Sequence, residues 1–420
     1  MNFCKRCLYP ANHPLNIFIG SDGICSGCKI HEEKDQLDWR ERRIMLDTLL
    51  SRYRSDTGSR FDCIVPVNGG RDSFFILDTL VNQFGLKPLL VNYNRHYNTE
   101  RGIRNLASLR TLFDCDFLQQ TVRPGVVKKI MRETLHRRAS FHWHVLAGQS
   151  AFPVQVAVRL KIPLIIWGVH QGCDQVGMFS HTDEIEMTKK YRMEHDLLGL
   201  EAEALVGGVE GLCERDLIPF YYPDDVEIAQ TGVRGIYLSN YLRWDSKAQH
   251  ERMITKFGYE TACQTRTFDT YNDVDCIHYN GAHDYVKFLK WGFGKATDHA
   301  SREIRLRRLT RKRGRALVRQ FQDKLPSDLP TLFNFMKITQ TDFMHCVDEF
   351  RDPRVWHQNN KGDWRLRCSV VDNMEDEIVK SVTQPLEETA FEWVVTPSKR
   401  PEANESTYTL MHRGWVDQYS

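Results

Sequence analysis

No stretch of this chain approaches the roughly 20 consecutive apolar residues that a membrane-spanning helix needs. The first ten residues, MNFCKRCLYP, lack the apolar core of a secretory signal. The expected compartment is therefore the cytoplasm, with no membrane partner. An excess of one charge is missing too. The 57 Lys and Arg residues meet 55 Asp and Glu, a net charge of +2, so no global field draws the chain toward nucleic acid. Internal repeats and low-complexity tracts are absent. What remains is a chain of 420 residues, 41% of them hydrophobic, long enough for two or three domains with a substantial core.

The 12 cysteines would suit a disulfide scaffold in a small secreted chain, whereas a large cytosolic one uses them as free or metal-bound thiols. Four of them form two CxxC turns, Cys4-Lys5-Arg6-Cys7 and Cys25-Ser26-Gly27-Cys28. That spacing matches a structural zinc site in which each turn presents two thiolates to one ion. Asp22-Gly23 suits a tight turn between the halves. Iron–sulfur ligation is the competing reading, and it more often uses other spacings. Cys63 sits in an apolar run and reads as core, and Cys173 follows a strand candidate on a loop.

Residues 32–54 have the apolar periodicity of an amphipathic helix. From Phe61 short apolar runs alternate with helical segments. Strands are expected at 61–67, 88–94, 116–122 and 162–168, with helices at 73–84, 99–113, 124–138 and 146–161. This alternation predicts an α/β, Rossmann-like, doubly wound parallel sheet. Further on, 169–190 reads as a polar loop entering a helix, and 214–230 as a loop leading into a short one. Helices are expected at 246–257 and 283–292, with a longer basic helix at 300–322. The tail is polar from about Asn359, with one apolar run, AFEWVV at 390–395.

The first strand candidate runs into Asn68-Gly69-Gly70-Arg71-Asp72-Ser73. A turn from a buried strand into a helix leaves backbone N–H groups free to meet an anion. Gly69 and Gly70 permit close approach of a ligand. Arg71 adds charge, and Asn68 and Ser73 add side-chain donors. Paired glycines alone are common in βα turns, but with this polar set they point to a phosphate-bearing ligand. The pattern is neither GxGxxG nor GxxxxGK[ST].

NGGRDS resembles the SGGxDS loop of the PP-loop ATP pyrophosphatases, with Asn68 in place of the usual serine and Arg71 in place of the common lysine. Together with CKRCLYP and GICSGCKIHE, with LIIWGVHQG at 164–172 and with KFLKWGFGKATDHASREIR at 287–305, the chain resembles the N-acetyl sugar amidotransferase family of bacterial surface-polysaccharide and nonulosonic acid biosynthesis. The resemblance covers residues 1 to about 345. It implies a PP-loop fold with an N-terminal zinc ribbon and a C-terminal helical region. It also implies a ligase that adenylates the oxygen of an acetamido group with ATP and Mg2+, then lets ammonia displace AMP to give an acetamidino group.

The resemblance further implies roles for named residues. Asn68, Gly69, Gly70, Arg71, Asp72 and Ser73 would hold the phosphates of ATP, with Asp72 also orienting the loop or meeting Mg2+. Val91, Asn92 and Tyr93 would lie near the adenine, and Gly168 would face the same crevice. His170, Gln171, Lys290, Lys295, Asp298, His299 and Arg302 would bind an N-acetylated sugar or sugar nucleotide, with Lys290 and His299 joining Asp72 as catalytic groups. A lone histidine is usually structural; only the resemblance moves His299 to the substrate. Cys4, Cys7, Cys25 and Cys28 would bind zinc.

No glutaminase is read from the chain, because no catalytic cysteine opens it and the GxCxG match at Gly23–Gly27 is taken up by the second CxxC turn. Ammonia is expected from separate glutaminase and cyclase-like subunits. Two alternatives remain. A tRNA-thiolating PP-loop enzyme would use the basic run 305–319 to track phosphates, and a non-catalytic scaffold would carry a degenerate loop. These readings divide the chain into a zinc ribbon (1–31), a linking helix (32–58), a nucleotide-binding α/β domain (59–245), a helical substrate or partner region (246–345) and an extension of unassigned role (346–420).

Overall fold

The computed structural model describes residues 1–372 and 393–396. Its centre is one sheet of five parallel strands: β1 (Cys63–Pro66), β2 (Pro88–Tyr93), β3 (Phe117–Gln120), β4 (Leu164–Trp167) and β5 (Arg234–Tyr237), ordered β3-β2-β1-β4-β5. The first four fall within the expected runs. β5 was not expected. It is an edge strand of four residues whose first two, Arg234 and Gly235, carry little β propensity. Gly235 is needed because an added Cβ would stand 2.6 Å from the Met187 side chain.

The β1 register, Ile64 beside both Leu89 and Ile165, sorts side chains by parity. Cys63, Val65 and Leu90 face a core built with Leu46, Leu50, Phe74 and Leu77. Ile64, Leu89, Val91 and Ile165 face the other way, onto Phe152, Val154 and Val156 of the helix Trp143–Leu160. Both faces are thus covered, as a parallel sheet requires, and the fold is a doubly wound α/β sheet. The chain moves outward from β1 to β3, then returns to the opposite side of β1 as β4. That reversal opens a crevice at the carboxyl ends of β1 and β4.

The C-terminal region is helical, with Ser246–Phe257, Asp284–Trp291, Lys295–Arg305, Arg311–Phe321, Leu329–Met336 and Gln340–Asp348, followed by a two-stranded antiparallel hairpin, β6 (Trp356–Gln358) and β7 (Trp364–Leu366). The single basic helix expected over 300–322 is instead two. Arg307 takes a left-handed φ of 60°, and Thr310 starts the second helix by accepting from the Arg313 amide at 3.1 Å. The apolar run 390–395 lies partly outside the described residues; its Trp393 stacks on Tyr271 at 5.7 Å. Among the described residues no helix is long and apolar enough to cross a membrane.

Candidate functional site

The loop after β1 folds on itself before it meets anything else. Asn68 Oδ1 accepts from the Gly70 amide at 2.9 Å, and the Asn68 amide donates to Ser73 Oγ at 3.0 Å. The helix Arg71–Leu77 then begins at Gly70 with no side chain capping it, so its first-turn amides have no intrahelical acceptor. Gly69 is demanded by packing: an added Cβ would overlap the carbonyl oxygen of Gly102. Gly102 in turn lies against the backbone of Asp275, 2.8 Å from its oxygen to a Cβ placed there. Asn105 locks this stack, donating to the Gly69 carbonyl at 3.1 Å and to the Glu260 carbonyl at 3.0 Å.

The loop opens onto a cavity of about 290 Å³ at the crevice between β1 and β4. Asn68, Gly70, Arg71, Asp72 and Ser73 line it, together with Val91, Asn92 and Tyr93 from the end of β2 and Gly168 and Gln171 after β4. Its far wall is made of Arg95, His142, Gln149, Asp273, Asp275 and Tyr279.

Burial raises the Asp72 carboxyl above the usual carboxylate range, with Arg71 opposing and the negative charge of Asp273 adding to the rise. Asp275 is raised in the same way by burial, against Arg95, whose Nη1 lies 3.1 Å from its Oδ2. Asp273 is half-buried, and against the desolvation this brings it is held below the usual range by the Lys295 ammonium, 2.9 Å away. Three carboxyl groups, two of them reluctant to ionise, thus face one polar cavity, an arrangement suited to a cation arriving with phosphate.

This far wall is where known proteins enter. Residues 251–370 match the model of the family described as "LPS biosynthesis protein WbpG-like, C-terminal domain". No curated protein matches the chain. Solved structures that match include "Structure of NMN synthetase from Francisella tularensis", 13% identical over 52% of this chain and 96% of that one, with a TM-score of 0.25. The WbpG-like segment supplies Asp273, Asp275 and Tyr279 to the cavity, and its Asn272 receives Arg71.

Arg71 is therefore placed differently from a free phosphate ligand. It lines the cavity, but its Nη1 donates to Asn272 Oδ1, its Nη2 donates to Ser246 Oγ at 2.9 Å, and its guanidinium lies 5.2 Å from the Tyr271 ring. It ties the loop to the C-terminal region.

The other residues singled out from sequence divide by placement. Lys295 stands one layer behind the cavity, holding Asp273 and Asn280 at 2.9 and 3.1 Å. His299 is buried, within 2.7 Å of Thr267 Oγ1 and 3.4 Å of Asn272 Nδ2. Burial depresses its pKa to about 3, against the pull of Asp269, so it supports Asn272 and does not exchange protons near neutrality. Arg302 is bound to Asp269 at 2.7 Å and Glu303 at 2.8 Å. Asp298 is bound by Lys287 at 2.5 Å. None of these four lines the cavity.

Two more sit elsewhere. His170 is buried under Tyr191 and Tyr237, with its Nδ1 accepting from the Gly172 amide at 3.1 Å. The Lys290 ammonium donates to the Arg138 carbonyl at 2.7 Å, and burial brings its pKa down to about 8. Lys290 and His299, expected at the substrate, thus lie outside the cavity lining and are engaged by protein partners.

The four N-terminal cysteines do converge. Their sulfurs lie within 4.8 Å of one another and all four residues are buried. The pairs Cys4–Cys28 and Cys7–Cys25 are 3.9 and 3.6 Å apart, close to the roughly 3.8 Å of four thiolates set tetrahedrally 2.3 Å from one zinc. The donor set and geometry fit Zn2+. Cys63 is buried with its thiol pushed up. Cys173 is buried too, its thiol raised to about 12, so neither is poised as a nucleophile.

Much of the basic run 305–319 is occupied within the fold. Arg305 reaches the cysteine cluster, Arg307 pairs with Asp35 at 3.0 Å, and Arg308 pairs with Asp245 at 2.8 Å. Arg311 donates to the Cys7 carbonyl, and Arg319 to the Val371 carbonyl. Lys312 and Arg313, on the helix Arg311–Phe321, are exposed.

Sequence reasoning missed Arg95, His142, Gln149, Asp273, Asp275 and Tyr279. One signal lay in DTYNDVDCIHYNGAHDY, residues 269–285, where aspartates, histidines and tyrosines crowd a segment with no clear period.

Proposed function

We propose that this protein is an ATP-dependent ligase that converts an acetamido group on a bacterial sugar into an acetamidino group. One observation carries the reading: the uncapped loop after β1 and the carboxyls of the WbpG-like segment face the same cavity. That combination suits a triphosphate at one end and a sugar at the other, and the matched description names LPS biosynthesis.

In this reading the amides of the Arg71–Leu77 helix start, with Asn68 and Ser73, hold the β and γ phosphates. Asp72 and Asp273 would hold Mg2+, which would neutralise the charge on the leaving pyrophosphate. The adenosine lies along Val91–Tyr93. The acetamido oxygen attacks the α phosphorus and the bond to pyrophosphate breaks. Ammonia then forms the C–N bond, the C–O bond breaks with its electron pair leaving on AMP, and the nitrogen releases one proton. The protein's task is to align these atoms and exclude water, which would regenerate the amide. Ammonia comes from a separate glutaminase, the compartment is the cytoplasm, and zinc in the cysteine cluster is structural.

The test is mass spectrometry after incubation with ATP, Mg2+, ammonium and a panel of N-acetylated sugars. The expected product is lighter by about one mass unit, as N–H replaces O in a displacement at an activated carbonyl, with AMP and pyrophosphate formed in equal amounts. Release of ADP, or turnover with glutamine and this chain alone, would overturn the reading.

A further inference from the structure

Beside the main cavity lies a chamber of about 10 Å³, close to the space one water-sized molecule needs. Arg95 and His142 belong to the linings of both, so the two spaces adjoin at these residues. The rest of the chamber is largely apolar or aromatic, with Tyr97, Phe141 and Phe335 among its walls, and it includes His278. None of its lining residues is Asp or Glu.

His278 is set by a carboxylate. Its Nδ1 lies 2.8 Å from Asp328 Oδ2, which also accepts from the Ala282 amide at 3.2 Å. Asp328 is itself buried, in a notch that requires Gly281, since an added Cβ there would overlap Asp328 Oδ1. A carboxylate only accepts, so in the neutral ring it holds the ring proton on Nδ1 and leaves Nε2 as an acceptor. Tyr97 lies over the imidazole, ring centroids 4.2 Å apart, and holds its plane. His278 is 4% exposed, and its Nε2 has no hydrogen-bond partner among the described residues. A buried acceptor left in this state is unfavourable unless a ligand completes it.

The ligand that fits is small, neutral and able to donate. The volume admits one heavy atom. The absence of any lining carboxylate leaves a cation without a counter-charge in the chamber, which favours ammonia over ammonium. We propose that this chamber is the ammonia-binding site of the enzyme, with His278 Nε2 accepting one N–H and Asp328 fixing the tautomer that makes this possible. Bound through a hydrogen, ammonia keeps its lone pair free for the activated carbon beyond Arg95 and His142. This inference rests on the ammonia-dependent reaction proposed above.

The experiment uses the full chain with ATP, Mg2+, an acceptor sugar that supports turnover, and ammonium titrated at fixed pH. His278→Phe fills the chamber, and Asp328→Asn turns the imidazole so that Nε2 carries the proton. Each is expected to raise the KM for ammonia about tenfold, the equivalent of one hydrogen bond, with the KM for ATP unchanged. A burst of pyrophosphate without ammonia is expected in the wild type and in both variants.

Wild-type protein supplies a second measurement that needs no variant. Methylamine, compared with ammonia at equal free-base concentration, is expected to be a poor substrate because it carries a second heavy atom. An unchanged ammonia KM in a folded variant, or methylamine turned over as fast as ammonia, means that the chamber holds water only and overturns the inference, leaving the ligase reading intact. If no acceptor sugar yields pyrophosphate at all, the ligase reading fails and takes this inference with it.

Discussion

Arg305 Nη2 lies 3.5 Å from Cys25 Sγ and 4.0 Å from Cys7 Sγ, while its Nη1 donates to the Gln175 carbonyl at 2.6 Å. One guanidinium from the WbpG-like segment thus joins the cysteine cluster to the chain that follows β4. Four thiolates around one divalent ion carry a net charge of −2, and a buried arginine beside them offsets part of it. Metal analysis of purified protein is expected to find one zinc per chain. Arg305→Met is expected to destabilise the fold by about 3–5 kcal/mol, as when one partner of a buried charge pair is removed, and to speed zinc loss to a chelator. An iron–sulfur absorbance band, or zinc release unaltered by the substitution, would refute this account.

Gly69 is held between backbones. Because an added Cβ would overlap the Gly102 carbonyl oxygen, Gly69→Ala must push the loop from the start of the helix Glu100–Phe113. The expected loss of stability is about 1–3 kcal/mol, the range for overpacking, with a larger loss in ATP affinity because the loop amides move with it. Thermal unfolding and nucleotide titration measure the two. Wild-type ATP binding in Gly69→Ala would show that the loop's position is unimportant.

Asp72 and Arg71 sit side by side, 3.3 Å apart, yet are expected to fail differently. Asp72→Asn removes a carboxyl that burial already disfavours in its ionised form, so stability should hold while turnover falls about 10²–10³-fold, as when one electrostatic contact to a developing charge is lost. Arg71→Lys keeps the charge but cannot reach Asn272 and Ser246 at once. It should lower stability by about 1–3 kcal/mol through the partners left unpaired. Steady-state kinetics and melting curves on both variants separate these outcomes; equal stability loss in the two would contradict the assignment.

Acid should weaken the fold earlier than its carboxylates alone would require. Burial brings His144, His250, His283 and His299 down to about 3 and His170 to about 4, against an ordinary 6.5. The unfolded chain therefore binds more protons than the folded one across that window. The stability these groups contribute is full above pH 6.5 and is lost as pH falls toward 3. Melting temperature is expected to drop steadily between pH 7 and pH 5, and a flat profile over that interval would count against buried neutral imidazoles.

Much of the sheet could be read from the chain because its strands obey a local rule. CIVP and PLLVNY are apolar on both faces, as burial between helices demands, and glycines mark the turn where a helix begins. β5 escaped because RGIY opens on two residues of little β propensity and is not set in a longer apolar run; what makes it a strand is its pairing with Leu164–Trp167. The break at Arg307 escaped because the residues around it, Arg305 to Leu309, are all good helix formers, and the signal that was there, Thr310 as the cap of a second helix, was passed over.

By itself the sequence determined the elements whose cause is local: the two CxxC turns, the βα loop with its glycine pair, and the alternation that builds a parallel sheet. The tertiary structure alone decided which charges meet. Lys290, His299 and Arg302 look free in sequence and are bound in the fold to a carbonyl, a hydroxyl and a carboxylate respectively, while Arg95, Asp273 and Asp275, unremarked in sequence, close the cavity. The reason is physical: a titratable side chain acts according to its partners and its burial, and both are set by residues far away along the chain.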